Sequence, residues 1–219
     1  MNDIKKWLIG RKTIYSILAS LYRGEINLGL DILKEIQLLQ NFVSYSHNTS
    51  LSTGASEVIK EIDENKNNGH ENLIADDYQR LFVGPNDTLA PLWKSVYRTK
   101  DKLLFGDIEL EVREFYSSVG LGVKESEPAD YLPLQLSFMS RLCDLAEEDK
   151  FKNINENLTK QCDFLKQHLL SWISYWVADV NKNAETRFWA SFANLTKGWL
   201  ESDLDEIERS SIVIKNNFK

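Results

Sequence analysis

The sequence predicts an all-α fold, on the basis of three observations. Apolar residues recur at the spacing i, i+3, i+4 from one end of the 219-residue chain to the other, which is the period of a helix with one buried face. Runs of strict apolar and polar alternation, the pattern of strands, are nearly absent. All four prolines lie between residues 84 and 133, so the regions on either side are free to form long helices. We therefore expect a single all-helical domain.

The first half of the chain predicts helices that are separated by polar turns. Each helix is recognised by one broad apolar face, and each end by a capping residue or a Gly/Pro break. In chain order, the predicted elements are a helix from Asp3 to about Gly24, a helix across residues 30–43, a turn from His47 to Gly54, a short helix from Glu57 to Asn65, and a helix from His70 to Gly84.

The segment from Gly84 to Asp107 has no clear helical period, yet it carries large apolar side chains, including Pro91, Trp93 and Tyr97. An irregular stretch of this length inside a compact domain is more often functional than not. We therefore expect it to contribute to a binding site.

The second half predicts longer helices on either side of an acidic, proline-stiffened turn from Glu125 to Tyr131, which we call the acidic turn. We predict that it is a hinge. The other predicted elements are a helix from Asp107 to Gly120, a helix that Asp130 caps and that runs to about Ala146, a long helix with apolar positions from Leu158 to Val180, a second with apolar positions from Phe188 to Trp199, and a charged tail from Ser202 that consists of a short helix and a fraying end.

Charge and hydropathy exclude several partners. The chain has 33 acidic and 26 basic residues and a net charge of −7, so DNA and RNA would be repelled on average, and a basic ligand is the more natural partner. The N-terminus lacks the apolar stretch of a signal peptide. The most apolar segment, Leu169 to Val180, is about half of the roughly 20 residues that a membrane span needs. We expect a cytoplasmic protein without stable membrane insertion.

Motifs for catalysis are missing from the sequence. It lacks the Gly-rich loops that bind nucleotides and the His and Cys patterns that bind metals or support nucleophilic catalysis. Cys143 and Cys162 show no CxxC spacing, so neither a zinc site nor a disulfide is predicted. We expect no catalytic residue, metal or cofactor. One alternative stays open, an enzyme that uses Glu127 and Asp130 with His168 on a small substrate.

Two sets of residues predict a groove for a peptide. If the sets are adjacent in space, they could hold an apolar helix flanked by Arg or Lys. The residues alone leave a second explanation open, in which Leu81, Phe82 and Trp93 belong to the core and the acidic turn only caps a helix. The apolar set is Tyr78, Leu81, Phe82, Pro91, Trp93 and Tyr97, and the acidic set is Glu125, Glu127 and Asp130.

Four blocks of the sequence, in order, resemble the TorD/DmsD family of redox-enzyme maturation proteins. The family patterns are Y-x-x-L-F-x-G-P, P-x-W-x-S-V-Y, E-P-x-D-H and F-L-x-x-H-L-x-x-W. The corresponding blocks are Asp77 to Pro85, Ala90 to Tyr97, Glu127 to Leu132 and Phe164 to Trp172. The second block, together with Leu104 to Asp107, is most similar to the DmsD branch.

The resemblance implies a fold in which an N-terminal helical part, about residues 1–124, and a C-terminal bundle, about residues 132–219, are joined by a hinge at about residues 125–131. It also implies a cytoplasmic chaperone that binds the twin-arginine signal peptide, or leader, of a molybdenum-containing oxidoreductase and delays its export until cofactor insertion and folding are complete. The peptide-binding residues expected from the groove and the resemblance are Tyr78, Leu81, Phe82, Pro91, Trp93, Tyr97, Glu127, Pro128, Asp130 and Tyr131.

We expect the apolar part of the leader to lie against Leu81, Phe82 and Trp93, while Glu127 and Asp130 pair with its arginines. An alternative is a chaperone that acts mainly on the folded catalytic subunit during insertion of the molybdenum cofactor. The resemblance also implies a monomer or a domain-swapped homodimer. Weak guanine-nucleotide binding is implied by the resemblance alone.

This sequence departs from the family pattern in the acidic turn, where Tyr131 stands in place of the usual His. Tyrosine keeps an aromatic ring and a hydrogen-bonding tip, but it cannot gain a positive charge near pH 6. A packing or hydrogen-bonding role is therefore retained at this position, and a role that needs imidazole is not. Leu92 also stands where the DmsD branch tends to have a second proline.

Overall fold

The structure, a computed structural model, describes residues 2–35, 38–44, 47–64, 70–84, 88–100, 104–148 and 153–217. Within these ranges it consists of helices and contains no strand, so the predicted fold class is confirmed. The helices are α1 Asn2–Tyr22, α2 Ile26–Glu35, α3 Leu38–Val43, α4 Thr49–Glu64, α5 His70–Tyr78, α6 Lys94–Arg98, α7 Asp107–Ser118, α8 Leu132–Glu148, α9 Ile154–Phe164, α10 Ile173–Asn183 and α11 Arg187–Asn217. Two π-helical turns, Gln79–Val83 and Leu165–Leu169, continue α5 and α9.

The chain forms two compact units, each built from separate stretches of sequence. Unit 1 comprises Met1–Ala19, Trp93–Ser171 and Asp203–Lys219, and unit 2 comprises Ser20–Leu92 and Trp172–Ser202. The acidic turn lies inside unit 1. The predicted division into residues 1–124, a hinge and residues 132–219 stays a prediction.

The core of unit 1 is built around α8. Its apolar residues recur every three or four positions, so they share one face, and Leu132, Leu136 and Met139 are fully buried there. The rings of Tyr116 and Phe138 lie 4.4 Å apart between their centroids. This packing fixes α7 and α8, which are the two helices on either side of the acidic turn.

The core of unit 2 is an aromatic cluster. Neighbouring ring centroids lie 5.2 to 6.2 Å apart, mostly in tilted or edge-to-face arrangements, which aromatic pairs prefer. The phenol of Tyr78 donates a hydrogen bond of 3.0 Å to the carbonyl of Tyr22. The members of the cluster are Tyr22, Tyr78, Phe82, Trp176, Trp189 and Phe192, and all are buried.

The predicted turn from His47 to Gly54 is wrong, because α4 begins at Thr49. Asn48 stabilises this helix start by accepting a hydrogen bond of 3.0 Å from the amide of Leu51. A β-carbon at Gly54 would lie 2.7 Å from the backbone nitrogen of Leu195 on α11. The small and polar residues that suggested a turn therefore allow two helices to approach closely, so tertiary packing overrides the local preference.

Two further predictions about the second half are corrected. The helix predicted from Leu158 to Val180 is interrupted, because a π-helical turn follows α9 and α10 starts only at Ile173. The tail from Ser202, predicted as a short helix with fraying, is helical, but it is the continuation of α11 and not a separate short helix. In this tail Asp203 and Ile207 are fully buried, and their burial stabilises the helix beyond Ser202.

Candidate functional site

The candidate site in unit 1 forms where the chain around Trp93 pairs with the end of the acidic turn. Trp93 and Tyr131 form an isolated antiparallel β-bridge, and the amide of Lys94 donates a hydrogen bond of 3.3 Å to the carbonyl of Asp130. The rings of Trp93 and Tyr131 are stacked, with centroids 5.3 Å apart and planes 26° apart. We call these two residues the aromatic pair. The structure thus brings together members of both predicted sets.

Asp130 holds this pairing from inside the protein. Its side chain is fully buried, and Oδ2 accepts a hydrogen bond of 2.7 Å from the amide of Ser95 in the first turn of α6. The carbonyl of Asp130 accepts a hydrogen bond of 2.6 Å from the side-chain amide, Nε2, of Gln135. Burial raises the pKa of the Asp130 carboxyl, although the bond from Ser95 opposes this by favouring the charged form.

The prediction that Asp130 caps the helix after it is corrected by these contacts. The Asp130 carboxylate instead caps α6, a helix that lies 35 positions earlier in the sequence, because the β-bridge places this carboxylate at the start of α6. The first hydrogen bonds of α8 are accepted by the carbonyl of Tyr131, from the amides of Leu134 and Gln135 at 2.9 and 3.0 Å. In this conformation the Asp130 carboxylate is fully buried and is not accessible to a leader arginine.

Lys94, the residue after Trp93, forms a buried pair with His168. Nζ of Lys94 donates to Nδ1 of His168 over 3.1 Å, and Glu111 lies 3.9 Å from the same Nζ. The imidazole packs against the rings of Phe115 and Phe164. Burial and the charge of Lys94 lower the pKa of His168 to about 4, so the imidazole is neutral at pH 7. Burial also lowers the pKa of Lys94, while Glu111 opposes this effect.

Helix α7 holds the acidic turn in place through three side chains. Glu109 accepts a hydrogen bond of 2.9 Å from the amide of Ala129, and Tyr116 donates one of 2.9 Å to the carbonyl of the same residue. Arg113 pairs with Glu109 and donates to the carbonyl of Glu127 over 2.8 Å. The backbone of the turn is therefore fixed, while the side chains of Glu125 and Glu127 are left at the surface.

The surface of this site is partly aromatic and partly acidic. Glu125 and Glu127 are exposed. The half-buried members of the predicted site in unit 1 are Trp93, Tyr97, Pro128 and Tyr131. Large, rigid aromatic faces beside carboxylates suit a ligand that combines apolar groups with guanidinium groups.

The remaining predicted residues lie in unit 2. Tyr78, Leu81 and Phe82 are buried there, with exposed fractions of 4%, 0% and 2%, and they pack in the core. Pro91 is half-buried. Pro85, which belongs to the first block, lies outside the described residues. In this conformation, the three buried side chains have no surface to offer a peptide, and their role in binding stays a prediction.

The enzyme alternative finds no support in the arrangement of unit 1. Asp130 and His168 are each occupied by structural contacts, with the amide of Ser95 and the ammonium of Lys94 respectively. In the part of the chain that the structure describes, no three His, Cys, Asp or Glu side chains cluster as metal ligands would.

None of the helices in the described part of the chain is both long and apolar enough to cross a bilayer.

Sequence reasoning missed Lys94, Glu109 and Arg113 as residues that build this site. Glu109 and Arg113 are spaced i, i+4 on a helix, which signals an ion pair, but the spacing does not reveal that the pair also binds the backbone of the acidic turn. For Lys94 there was no signal, because its burial depends on contacts with residues 17 and 74 positions further along the chain.

Comparison with known proteins assigns the chain to a family. A family model described as "Nitrate reductase delta subunit" matches residues 48–178, which is more than half of the chain. The protein named "Probable Tat proofreading chaperone DmsD" of Haemophilus influenzae is 30% identical over 58% of this chain and 59% of that protein. The chaperone TorD of Shewanella pealeana is 26% identical over 90% of both chains. The chaperone YcdY of Escherichia coli is 28% identical over 63% of this chain and 67% of that protein.

A solved structure from Archaeoglobus fulgidus, described as a redox enzyme maturation protein, aligns over 87% of this chain and 93% of that one, with a TM-score of 0.48 and 19% identity. That overlap is too low to support an argument. The TorD alignment spans more of the chain than the DmsD alignment, so placement in the DmsD branch stays a prediction. The match to the family model and the named relatives show that the chain belongs to the TorD/DmsD family of redox-enzyme maturation chaperones and is a chaperone rather than an enzyme.

Proposed function

We propose that this chain is a cytoplasmic chaperone that binds the twin-arginine leader of a molybdenum-containing oxidoreductase and delays export until cofactor insertion and folding are complete. The observation that carries the proposal is the half-buried aromatic pair, Trp93 and Tyr131, held beside the exposed carboxylates of the acidic turn. The name of the relative from Haemophilus influenzae, a Tat proofreading chaperone, supports it.

In this proposal, the leader makes its direct contacts with the accessible members of the predicted site. The apolar part of the leader packs on the aromatic pair, Tyr97 and Pro128, since apolar contact with aromatic faces contributes most of the binding energy in such sites. Glu127 pairs with a leader arginine, and a guanidinium makes two parallel hydrogen bonds to one carboxylate.

The buried members of the predicted site act through the fold. Asp130 keeps Trp93 beside Tyr131 by capping α6, so its effect on binding is one of positioning. Tyr78, Leu81 and Phe82 hold the core of unit 2 together. No covalent step is required, because a leader that is bound to the chaperone is not accessible to the export machinery.

The test is a calorimetric titration of the purified chain with synthetic leaders of the molybdoenzymes of the same genome. Each leader is compared with a version in which both arginines are changed to lysine. We expect one leader to bind with micromolar or tighter affinity and its lysine version to bind about ten-fold more weakly, since lysine cannot make the two-pronged contact. Failure of every leader to bind would refute the proposal.

A further inference from the structure

The backbone at Phe105 is strained, and its side chain is exposed. Its φ angle is 60°, a left-handed value that is unfavourable for a bulky residue, although the next residue is Gly106, which would adopt such an angle without strain. The ring is 51% exposed. Strain of this kind persists where the surroundings enforce it, often at sites of function. At Phe105 the strained backbone presents an aromatic ring to solvent.

Phe105 belongs to an exposed apolar surface at the start of α7. Within seven consecutive residues Leu104, Phe105 and Leu110 are 39%, 51% and 48% exposed. The amide of Leu110 donates a hydrogen bond of 3.1 Å to the carbonyl of Gly106, which ties the helix start to the segment before it. Three large apolar side chains so close together at the surface are unusual in a protein without a partner at that place.

The same surface is acidic. Asp107, Glu111 and Glu114 are exposed and follow the spacing i, i+4, i+7, so they form one stripe along α7, about 10 Å long, with Leu110 beside it. The only basic residue of α7, Arg113, is engaged with Glu109 and the acidic turn. We call Leu104, Phe105 and Leu110 with the three carboxylates the outer face of α7.

The outer face is built from side chains of α7 other than those that hold the acidic turn, and it meets the candidate site at Glu111, which lies 3.9 Å from Nζ of Lys94. The side chains of α7 that hold the acidic turn, Glu109, Arg113 and Tyr116, are buried or half-buried, whereas those of the outer face are exposed. Both surfaces belong to unit 1, and the leader contacts proposed above use no residue of the outer face. A client could therefore occupy both at the same time.

We infer that the outer face of α7 docks a basic amphipathic helix in the mature part of the client, outside the leader. Its apolar centre would receive the apolar side of that helix, and its carboxylates would pair with lysines or arginines at matching helical spacing. This inference rests on the proposed function for the identity of the client. Two contacts on one precursor would also raise the affinity above that of the leader alone.

The test uses leaderless catalytic subunits of the molybdoenzymes of the same genome, and the synthetic leaders, as separate probes of the full chain. Three variants alter the outer face: Phe105→Gly, Leu110→Ser and Glu114→Lys. The matched control is Leu28→Ser, which changes a leucine that is 55% exposed on α2. We expect each outer-face variant to weaken binding of one leaderless subunit at least ten-fold, to leave the leader affinity within two-fold, and Leu28→Ser to change neither.

The variant Phe105→Gly separates binding from folding. Since glycine accepts the positive φ, its melting temperature should equal or slightly exceed that of the wild type. A fall in melting temperature would show that Phe105 serves the fold and would overturn the inference. Unchanged binding of the leaderless subunit would overturn it as well.

Three other outcomes are distinguishable. If the outer-face variants lose affinity for the leader as much as for the leaderless subunit, the outer face is part of the leader site. If they change the ratio of monomer to dimer, the outer face is an interface between copies of this chain. Either result overturns the inference. If no leader binds the wild type, but a leaderless subunit does and the outer-face variants weaken it, the proposed function fails while the inference stands.

Discussion

Replacing Asp203 by alanine is expected to lower the free energy of unfolding by about 3–5 kcal/mol. Asp203 is fully buried in unit 1, where it makes bonds of 2.5 and 2.8 Å to Arg11 and accepts one of 2.5 Å from the hydroxyl of Tyr15. Burial by itself lowers the pKa of the Arg11 guanidinium, yet Asp203 outweighs this and the pKa is raised. Without Asp203, the buried cation loses its hydrogen-bonded counter-charge. The melting temperature should fall by roughly 10 °C.

The matched control is Asp205→Ala, two positions further along α11, where the carboxylate is mostly exposed and 3.8 Å from Arg209. We expect that variant to stay within about 0.5 kcal/mol of the wild type. The double variant Arg11→Met with Asp203→Leu should recover most of the loss, because no buried charge is then left without a partner. A difference of less than 1 kcal/mol between Asp203→Ala and Asp205→Ala would contradict this account.

Replacing Asp77 by alanine is expected to cost about 3 kcal/mol of stability. Asp77 is buried in unit 2, and its Oδ2 accepts hydrogen bonds from the amides of Glu185 and Thr186 at 3.1 and 2.8 Å and from the hydroxyl of Thr186 at 2.8 Å. Its Oδ1 accepts a bond of 2.7 Å from Arg80. One carboxylate thus fixes the chain just before α11 begins, and chemical denaturation at pH 7 would measure the loss.

The neighbouring residue offers the control for this prediction. Asp76 is exposed on the same helix, so Asp76→Ala should leave the denaturation midpoint almost unchanged. Equal midpoints for the two variants would mean that the contacts of Asp77 do not stabilise unit 2.

Helices whose apolar face is continuous could be predicted from the sequence. The pattern Ile74, Tyr78, Leu81, Phe82 is one example, and the structure confirms that these residues share a buried face. The two π-helical turns could not be predicted, because their i+5 bonds, such as that of 2.6 Å from Gly84 to Gln79, do not change the pattern of apolar residues enough to be recognised. Both turns fall in blocks that resemble the TorD/DmsD family.

The candidate site was predicted only in part, for a different reason. The motif residues Trp93 and Tyr131 could be named from the resemblance, but the β-bridge that joins them spans 38 positions of sequence. Whether a motif side chain faces solvent also depends on such distant contacts. The sequence alone therefore could not distinguish the buried Asp130 and Phe82 from the exposed Glu127.

The most direct test of the central claim, that the leader binds at the aromatic pair, is its affinity for Tyr131→Ala compared with Tyr175→Ala. Tyr131 is held by main-chain bonds that survive removal of the ring, and Tyr175 is 59% exposed on α10 in unit 2. We expect titration calorimetry to give at least a ten-fold loss, about 1.4 kcal/mol, for Tyr131→Ala and less than a two-fold change for Tyr175→Ala. Equal affinity of the leader for Tyr131→Ala and the wild type would contradict the claim.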